Sequence, residues 1–256
     1  MRFWVDLAVW LTLQIKSPRN QKRWAVKFAI VGLVIVVGCL ISRAYSVNVH
    51  YRLTIRVQVD DRVVEGSSVN LAHYRREIQL LGTNSHMLSA ASGEATVVDL
   101  GSRGHLFALI EENGDRNSRS RPERALPIAF GISPYGNVDP KDFSTLRGLS
   151  GTRTLPPEIM PLLVRFQDIN VPASVQRVDP ADLAASFGPG VRLLDISMTV
   201  VGDRTPLTTG IDRILPWLAS YRDRKLDGGR YGRHDAENRF ANSLSRVHFN
   251  TVPMRQ

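Results

Sequence analysis

The chain has 256 residues, of which 43% are hydrophobic and 22% are charged. These proportions supply enough apolar material for a folded core, and they exclude a fully disordered chain, a collagen and a membrane protein with many spans. The single cysteine excludes a disulfide-stabilised scaffold and a structural zinc site built on cysteines.

The net charge of +9 is concentrated near the N-terminus. Residues 1–43 contain seven Lys or Arg residues and one Asp, a balance of +6, whereas the other 213 residues contain 26 basic and 23 acidic side chains. A nucleic-acid-binding domain is expected to carry its positive charge on the folded part of the chain. The nearly neutral remainder therefore argues against nucleic acid as a partner.

A long apolar run follows this basic N-terminus. Residues 28–41 contain no charged or strongly polar side chain, and the wider stretch 24–42 is interrupted only by Lys27. As a helix, 19 residues extend roughly 28 Å, close to the ~30 Å hydrocarbon thickness of a bilayer. We therefore expect residues 24–42 to be a transmembrane helix or a signal segment, with Trp24 and Phe28 near its start and Ile41 near its end.

The charges that flank the apolar run predict its orientation. Basic residues are retained on the cytoplasmic side of a membrane, and four of them precede the run whereas one follows it closely: Lys16, Arg19, Lys22 and Arg23 before it, and Arg43 after it. The expected arrangement is a single-pass protein of a bacterial inner membrane. Residues 1–23 would lie in the cytoplasm and the rest of the chain in the periplasm.

Two fates are open for the apolar segment, which is either retained as an anchor or cleaved. Residues 36–39 resemble a bacterial lipobox, in which a small residue precedes a cysteine that is acylated, and Cys39 would be the lipidated residue. Alternatively, Cys39 is an ordinary small apolar residue within a transmembrane helix. The anchor is the favoured interpretation.

The apolar stretch 3–15 is too short to span a bilayer. Two explanations are open for it: an interfacial helix, or a start codon assigned too far upstream, so that these residues are not translated.

Beyond residue 48 the pattern first favours strands. Residues 51–59 alternate between apolar and polar side chains, Asp60 and Asp61 form a turn signal, and residues 62–76 predict a second strand with a bulge at Gly66. Residues 94–100 and 105–110 predict another pair, and the apolar stretch 106–110 is typical of a strand buried on both faces. The polar stretch 111–124 is expected to be a surface loop or a subdomain boundary.

The second half of the chain favours mixed strands and short helices. We expect strands over 162–166 and 191–201, a helix over 181–187 capped by Asp179, and a helical segment over 209–218 that Pro216 bends or ends. The resulting prediction is a β-rich α+β domain over residues 48–221. The charged stretch 222–256 is expected to be an extended arm, anchored by Tyr231, Phe240 and Phe249, or a partly disordered tail.

Several short segments resemble an uncharacterised family of proteobacterial envelope proteins. The segments are Tyr51–Thr54, Glu65–Val69, Val178–Leu183, Phe187–Val191, Thr209–Ile211, Leu215–Leu218, Leu226–Gly228 and Asn242–Leu244. The resemblance covers residues 50–245 in patches. It implies an exported domain behind an N-terminal membrane segment, and it brings no activity, cofactor or catalytic residue with it.

The chain contains no recognisable catalytic, cofactor-binding or metal-binding motif. Ser67 and Ser68 lie on the predicted second strand with His73, and Asp99 lies on a strand that could neighbour it, so a serine nucleophile is conceivable there. A serine beside a glycine in a bulge needs no such role. The six histidines show no pair at metal-ligand spacing.

These observations predict a membrane-tethered envelope protein without enzymatic activity, whose exported domain binds another envelope component, such as an envelope protein. The exposed face of the first strand, with Arg52 and Arg56, and the basic C-terminal stretch are the surfaces that would meet an acidic partner. Two alternatives remain: a periplasmic hydrolase that uses Ser67 or Ser68, and a lipoprotein acylated at Cys39.

Overall fold

The computed structural model of the protein describes residues 24–36, 46–76, 87–110, 120–133 and 140–251. The chain divides into two compact units, residues 1–45 and 46–256. The described part of the first unit is one helix, α1, over residues 24–36. Among the described residues, no helix combines the length and the apolar character that a membrane span requires. Residues 37–42, with Cys39 and Ile41, lie outside the described residues, as do residues 1–23.

The second unit is an α+β domain rich in strands, which confirms the predicted fold class at that level. Its strands are β1 (Ser46–Val59), β2 (Arg62–Arg76), β3 (Met87–Ser92), β4 (Thr96–Asp99), β5 (His105–Ala108), β6 (Thr152–Thr154), β7 (Leu163–Phe166), β8 (Val175–Arg177) and β9 (Val191–Val200). Its α-helices are α2 (Pro122–Ala129), α3 (Pro140–Arg147), α4 (Leu183–Phe187), α5 (Ile211–Ile214) and α6 (Arg239–Ser243).

The first sheet has the order β3-β2-β1-β9-β6, with every pair antiparallel. The alternation predicted for β1 is confirmed, because the apolar side chains of Tyr51, Leu53, Ile55 and Val57 are buried and the polar ones between them face outward. β1 and β2 form a hairpin that turns at Asp60, whose φ of 52° is the tight-turn conformation that the sequence signal predicts.

The predicted bulge at Gly66 is wrong. β1 and β2 pair without a shift of register over their whole length, with Ile55 opposite Gly66. Gly66 instead allows β4 to cross the inner face of the sheet closely, because a Cβ at this position would lie 2.0 Å from the carbonyl oxygen of Val97. The irregularity in this sheet lies between β1 and β9, where the register shifts at Arg56 and Val57.

The second sheet has the order β4-β5-β7-β8 and is also antiparallel. The prediction that residues 106–110 are buried throughout is confirmed, since each side chain is at most 1% exposed. One core cluster joins this sheet to segments from the end of the chain. Its members are Ala95, Phe107, Leu109, Val164, Phe166, Val175, Ile211, Leu215, Leu218, Leu226, Ala241, Leu244 and Phe249.

Two local predictions need correction. Asp182, not Asp179, caps α4: its carboxylate accepts a hydrogen bond from the backbone N–H of Ala185 at 3.0 Å, and the helix begins at Leu183. Asp179 instead closes the turn that precedes the helix, because its carboxylate accepts a hydrogen bond from the backbone N–H of Ala181. The stretch 111–124 is not loop throughout, because α2 begins at Pro122.

Part of the C-terminal stretch packs into the core that includes the second sheet. The segment 222–251, called the arm below, buries Leu226, Ala241, Leu244 and Phe249 completely. Phe249 is an anchor as predicted and Phe240 packs at the edge of the core, whereas Tyr231 is 77% exposed and anchors nothing.

Candidate anion-binding site

The middle of the arm is a loop held in one shape by the buried side chain of Asn242. The Nδ2 of Asn242 donates to Oδ2 of Asp227 at 2.7 Å and to the carbonyl of Tyr231 at 3.1 Å, and its Oδ1 accepts from the backbone N–H of Arg233. Asn242 is only 2% exposed. Because a buried amide is costly to leave unsatisfied, this residue fixes the path of the loop 227–233.

A turn at the start of the loop adds to this rigidity. The N–H of Lys225 donates to the carbonyl of Gly229 at 2.7 Å, and the N–H of Gly228 donates back to the carbonyl of Lys225 at 2.9 Å. Gly228 has a φ of 88°, which favours glycine. Leu226 is fully buried beneath the turn, so Lys225 is presented at the surface from a fixed backbone.

A concave cavity of about 700 Å³, called the basic cavity below, opens beside this loop. Four cationic side chains and an aromatic ring line it: Arg222, Arg224, Lys225, Arg230 and Tyr231. One carboxylate, that of Asp223, lies among them. The lining is thus strongly positive, and it suits an anionic ligand rather than an apolar one.

The positive charge of the basic cavity is not neutralised within the described part of the chain. None of the four cationic side chains there forms an ion pair or a side-chain hydrogen bond with a described residue. By contrast, Arg103 contacts Asp60 at 2.9 Å and Arg56 pairs with Asp195. The cationic side chains of the basic cavity are therefore available to bind an anionic ligand, because no ion pair within the described part of the chain occupies them.

A second cavity of about 480 Å³ adjoins the first and shares Lys225 with it. This adjacent cavity is lined by Arg233, His234, Arg239 and Ser243 as well as Lys225. Arg233 already contacts Asp235 through two hydrogen bonds of 3.0 and 2.7 Å, and this guanidinium lowers the pKa of the Asp235 carboxyl. Lys225 and Arg239 have no such carboxylate contact among the described residues.

The residues predicted for a serine hydrolase do not come together. Ser68 is 2% exposed and shares hydrogen bonds with Thr96 and Asn70 beneath the first sheet. His73 lies on the opposite face of the same strand, where it contacts Asn48 at 2.6 Å. Ser67 faces outward as well.

Asp99 is separate from that strand face. Its side chain is 73% exposed, and the His105 imidazole lies 3.9 Å from it. Among the described residues, no group of three His, Cys, Asp or Glu side chains is arranged to hold a metal ion.

The other surface predicted to meet an acidic partner is partly neutralised. Arg52 and Arg56 both point outward from β1, but Arg56 is engaged by Asp195 on β9, with Nε at 3.0 Å from Oδ2. The arm is therefore the better candidate of the two predicted basic surfaces.

Sequence reasoning identified the charge of the arm but missed its folded site. Residues 222–246 contain seven Lys or Arg residues and four Asp or Glu residues, which gives the basic composition. The only hint of folding in this stretch is the presence of the apolar residues Leu226, Ala241 and Leu244, whose spacing follows no helix or strand period. These side chains are buried because they complete the core of a sheet formed much earlier in the chain.

Comparisons with known proteins give no relative: no family model, no curated protein sequence and no solved structure matches the chain.

Proposed function

We propose that this chain is a membrane-tethered binding protein of the bacterial envelope, without enzymatic activity, whose α+β domain lies in the periplasm and recognises an anionic envelope component. Two features of the sequence support the tether: the apolar run 28–41 and the basic residues that precede it. In this proposal, the apolar stretch 24–42 spans the inner membrane once.

The basic cavity is the observation that carries the binding function. Arg222, Arg224, Lys225 and Arg230 surround a concavity, and no described carboxylate pairs with them. Arginine and lysine side chains bind phosphate, sulfate and carboxylate groups through charge-assisted hydrogen bonds, which are stronger than neutral ones. Because Asn242 and the turn at Gly228 fix the loop, little backbone conformational entropy remains to be lost on binding.

Affinity for a polyanion tests the function. The full chain, purified in detergent, is titrated with heparin as a generic polyanion and compared with the double variant Arg224→Glu/Arg230→Glu. The matched control is Arg62→Glu/Arg213→Glu, which makes the same change of net charge at exposed sites outside the cavity. We expect at least about a tenfold loss of affinity in the cavity variant and less than about a twofold loss in the control. Equal losses in both variants would refute the binding site.

A fusion experiment tests the location. A phosphatase that is active only outside the cytoplasm is attached after Gln256, and a cytoplasmic reporter is attached at the same position in a second fusion. Phosphatase activity in the first fusion, together with recovery of the chain in the membrane fraction, is the expected result. Activity of the second fusion alone would overturn the periplasmic placement.

Mass spectrometry of the mature protein tests the tether itself. An intact residue 1 is expected of a retained anchor. An acylated N-terminal Cys39 would replace the spanning helix with a lipid anchor and leave the binding function of the exported domain in place.

A further inference from the structure

We propose that the basic cavity and the adjacent cavity together bind a saccharide that carries two phosphate groups, one in each cavity, with the Lys225 ammonium between them. This inference rests on the proposed function, because it names the chemistry of the ligand for the same site. Two observations carry it: the sharing of one lysine by two cavities and the exposed aromatic ring at the first of them.

The distribution of cations indicates two anionic positions. Arg222, Arg224 and Arg230 contact only the basic cavity, whereas Arg239 contacts only the adjacent one. Lys225 is common to both. A phosphate carries nearly two charges and three acceptor oxygens, and it is the group that several arginines around one concavity suit best. A ligand with a single phosphate would use one cavity and leave the cations of the other unpaired.

The size and lining of the site favour a small ligand with a ring. Volumes of about 700 and 480 Å³ lie within the range of roughly 300–1,000 Å³ that small-molecule sites occupy. Tyr231, 77% exposed, offers an uncovered ring face with a hydroxyl tip beside the cations. Ser220 and Ser245 in the basic cavity and Ser243 in the adjacent cavity add hydroxyls, which donate to and accept from the hydroxyls of a sugar.

The two cavities are positioned by the same residue. Asn242 holds the carbonyl of Tyr231 on one side and the backbone N–H of Arg233 on the other. The backbone positions from which the two cavities present their cations are therefore fixed relative to each other. Selection for a particular separation of phosphates is a property that a flexible basic tail does not have.

Calorimetric titration of the full chain in detergent tests the inference. The probes are fructose 1,6-bisphosphate, fructose 6-phosphate, pyrophosphate and a hexaglutamate peptide. We expect the bisphosphate to bind at least about tenfold more tightly than the monophosphate. Lys225→Met, which keeps the apolar stem and removes the charge, should abolish that difference. Arg62→Gln, at an exposed site outside both cavities, should leave it unchanged.

Tyr231→Ala separates the contribution of the sugar from that of the phosphates. This substitution should weaken binding of the bisphosphate at least about threefold and leave binding of pyrophosphate, which has no ring, unchanged. Equal effects on both probes, or no effect on either, would refute the stacked saccharide. The thermal unfolding midpoint of each variant is measured alongside. If Lys225→Met does not fold, Arg239→Gln replaces it and must lower the affinity for the bisphosphate more than that for the monophosphate.

The remaining outcomes distinguish this inference from the proposed function. Equal affinity for the bisphosphate and the monophosphate, or tighter binding of hexaglutamate than of either, would refute the saccharide bisphosphate. The general anion-binding function would survive either result if Arg224→Glu/Arg230→Glu still lowers the affinity for heparin. If that double variant binds heparin as well as the Arg62→Glu/Arg213→Glu control does, both proposals fail.

Discussion

The carboxylate of Glu94 accepts a hydrogen bond from the backbone N–H of Ile211, 2.9 Å away, and so joins residues that are 117 positions apart. Its second oxygen accepts from the side-chain amide of Asn250 at 3.2 Å. Glu94 is only 4% exposed. One buried side chain therefore holds together the connection between β3 and β4, the start of α5 and the end of the arm.

Replacing Glu94 with Gln should destabilise the domain. Both carboxylate oxygens accept hydrogen bonds, whereas Gln offers one acceptor and places an N–H₂ group against the N–H of Ile211 or the amide of Asn250. We expect the free energy of unfolding to fall by about 1–3 kcal/mol, measured by urea denaturation. The surface substitution Glu65→Gln on β2 is the control, and an equal effect there would contradict the assigned role.

The cost of that substitution should depend on pH in a defined direction. Burial raises the pKa of Glu94 above its ordinary value near 4.5, against the lowering effect of the N–H groups of Ile211 and Gly210. The folded state therefore binds more protons than the unfolded state between the two pKa values. The contribution of Glu94 to stability is complete below the unfolded pKa and decreases as the pH rises through the folded one. The cost of Glu94→Gln should shrink between pH 4 and pH 7, and a cost that grows would refute the shift.

Gly66→Ala should disrupt the crossing of the two sheets. The added methyl group would lie 2.0 Å from the carbonyl oxygen of Val97, and this neighbour is backbone, which cannot move aside cheaply. We expect a loss of about 1–3 kcal/mol in the free energy of unfolding. Gly202→Ala is a matched control, because its Cβ would approach nothing closer than the Thr205 hydroxyl, at 4.0 Å. A change of less than about 0.5 kcal/mol is expected there.

Arg103→Lys should weaken the contact between the second sheet and the β1–β2 turn. The Nη2 of Arg103 donates to both carboxylate oxygens of Asp60, at 2.9 and 3.1 Å. Its Nη1 donates to the backbone carbonyls of Phe187 and Pro189. A lysine ammonium cannot span these partners. Because Asp60 is 60% exposed, solvent screens part of the effect, and we expect a loss of about 1 kcal/mol. The control Arg62→Lys changes an exposed residue two positions after Asp60, and it should lower the free energy of unfolding by less than about 0.5 kcal/mol.

Asn242→Ala should affect both the stability and the binding site. The substitution leaves the carboxylate of Asp227, the carbonyl of Tyr231 and the N–H of Arg233 without their shared partner. A loss of about 1–3 kcal/mol in the free energy of unfolding is expected, with a parallel loss of heparin affinity. The control, Asn48→Ala, removes an exposed amide whose side-chain hydrogen bond in the described structure is to His73. A normal heparin affinity in Asn242→Ala would show that the loop does not need this residue.

A strand was predictable from sequence where the burial of one of its faces determines the pattern of apolar and polar residues. In β1 the alternation of Leu53, Ile55 and Val57 with polar residues requires one buried face, and the structure buries these three. The role of Gly66 was not predictable, because it depends on β4, thirty residues later, and not on the strand in which it lies. Asp179 and Pro180 resemble a helix start, so the local sequence favours Asp179 as the cap, whereas the structure uses Asp182.

The candidate site was predictable in composition only. Its cations were visible as the basic content of residues 222–246, but their convergence depends on long-range burial. Leu226 and Leu244 lie in the same buried cluster as Phe107 and Val164, which are more than fifty residues earlier in the chain. Local periodicity carries no record of such contacts. The prediction that Tyr231 is an anchor rests on its type alone, because an aromatic residue in a polar tail suggests burial. The structure leaves this ring 77% exposed.

The end of the arm also determines when the domain can complete its folding. The backbone N–H of Ala95 donates to the carbonyl of Phe249, and that of Ile110 donates to the carbonyl of His248, so the last described residues pair with segments made less than halfway along the polypeptide. One apolar side of the second sheet stays uncovered until the buried residues of the arm, from Leu226 to Phe249, pack against it. A chain cut off before Leu226 would lack the four fully buried residues of the arm and leave this apolar surface exposed to solvent, which makes it a substrate for chaperones and proteases.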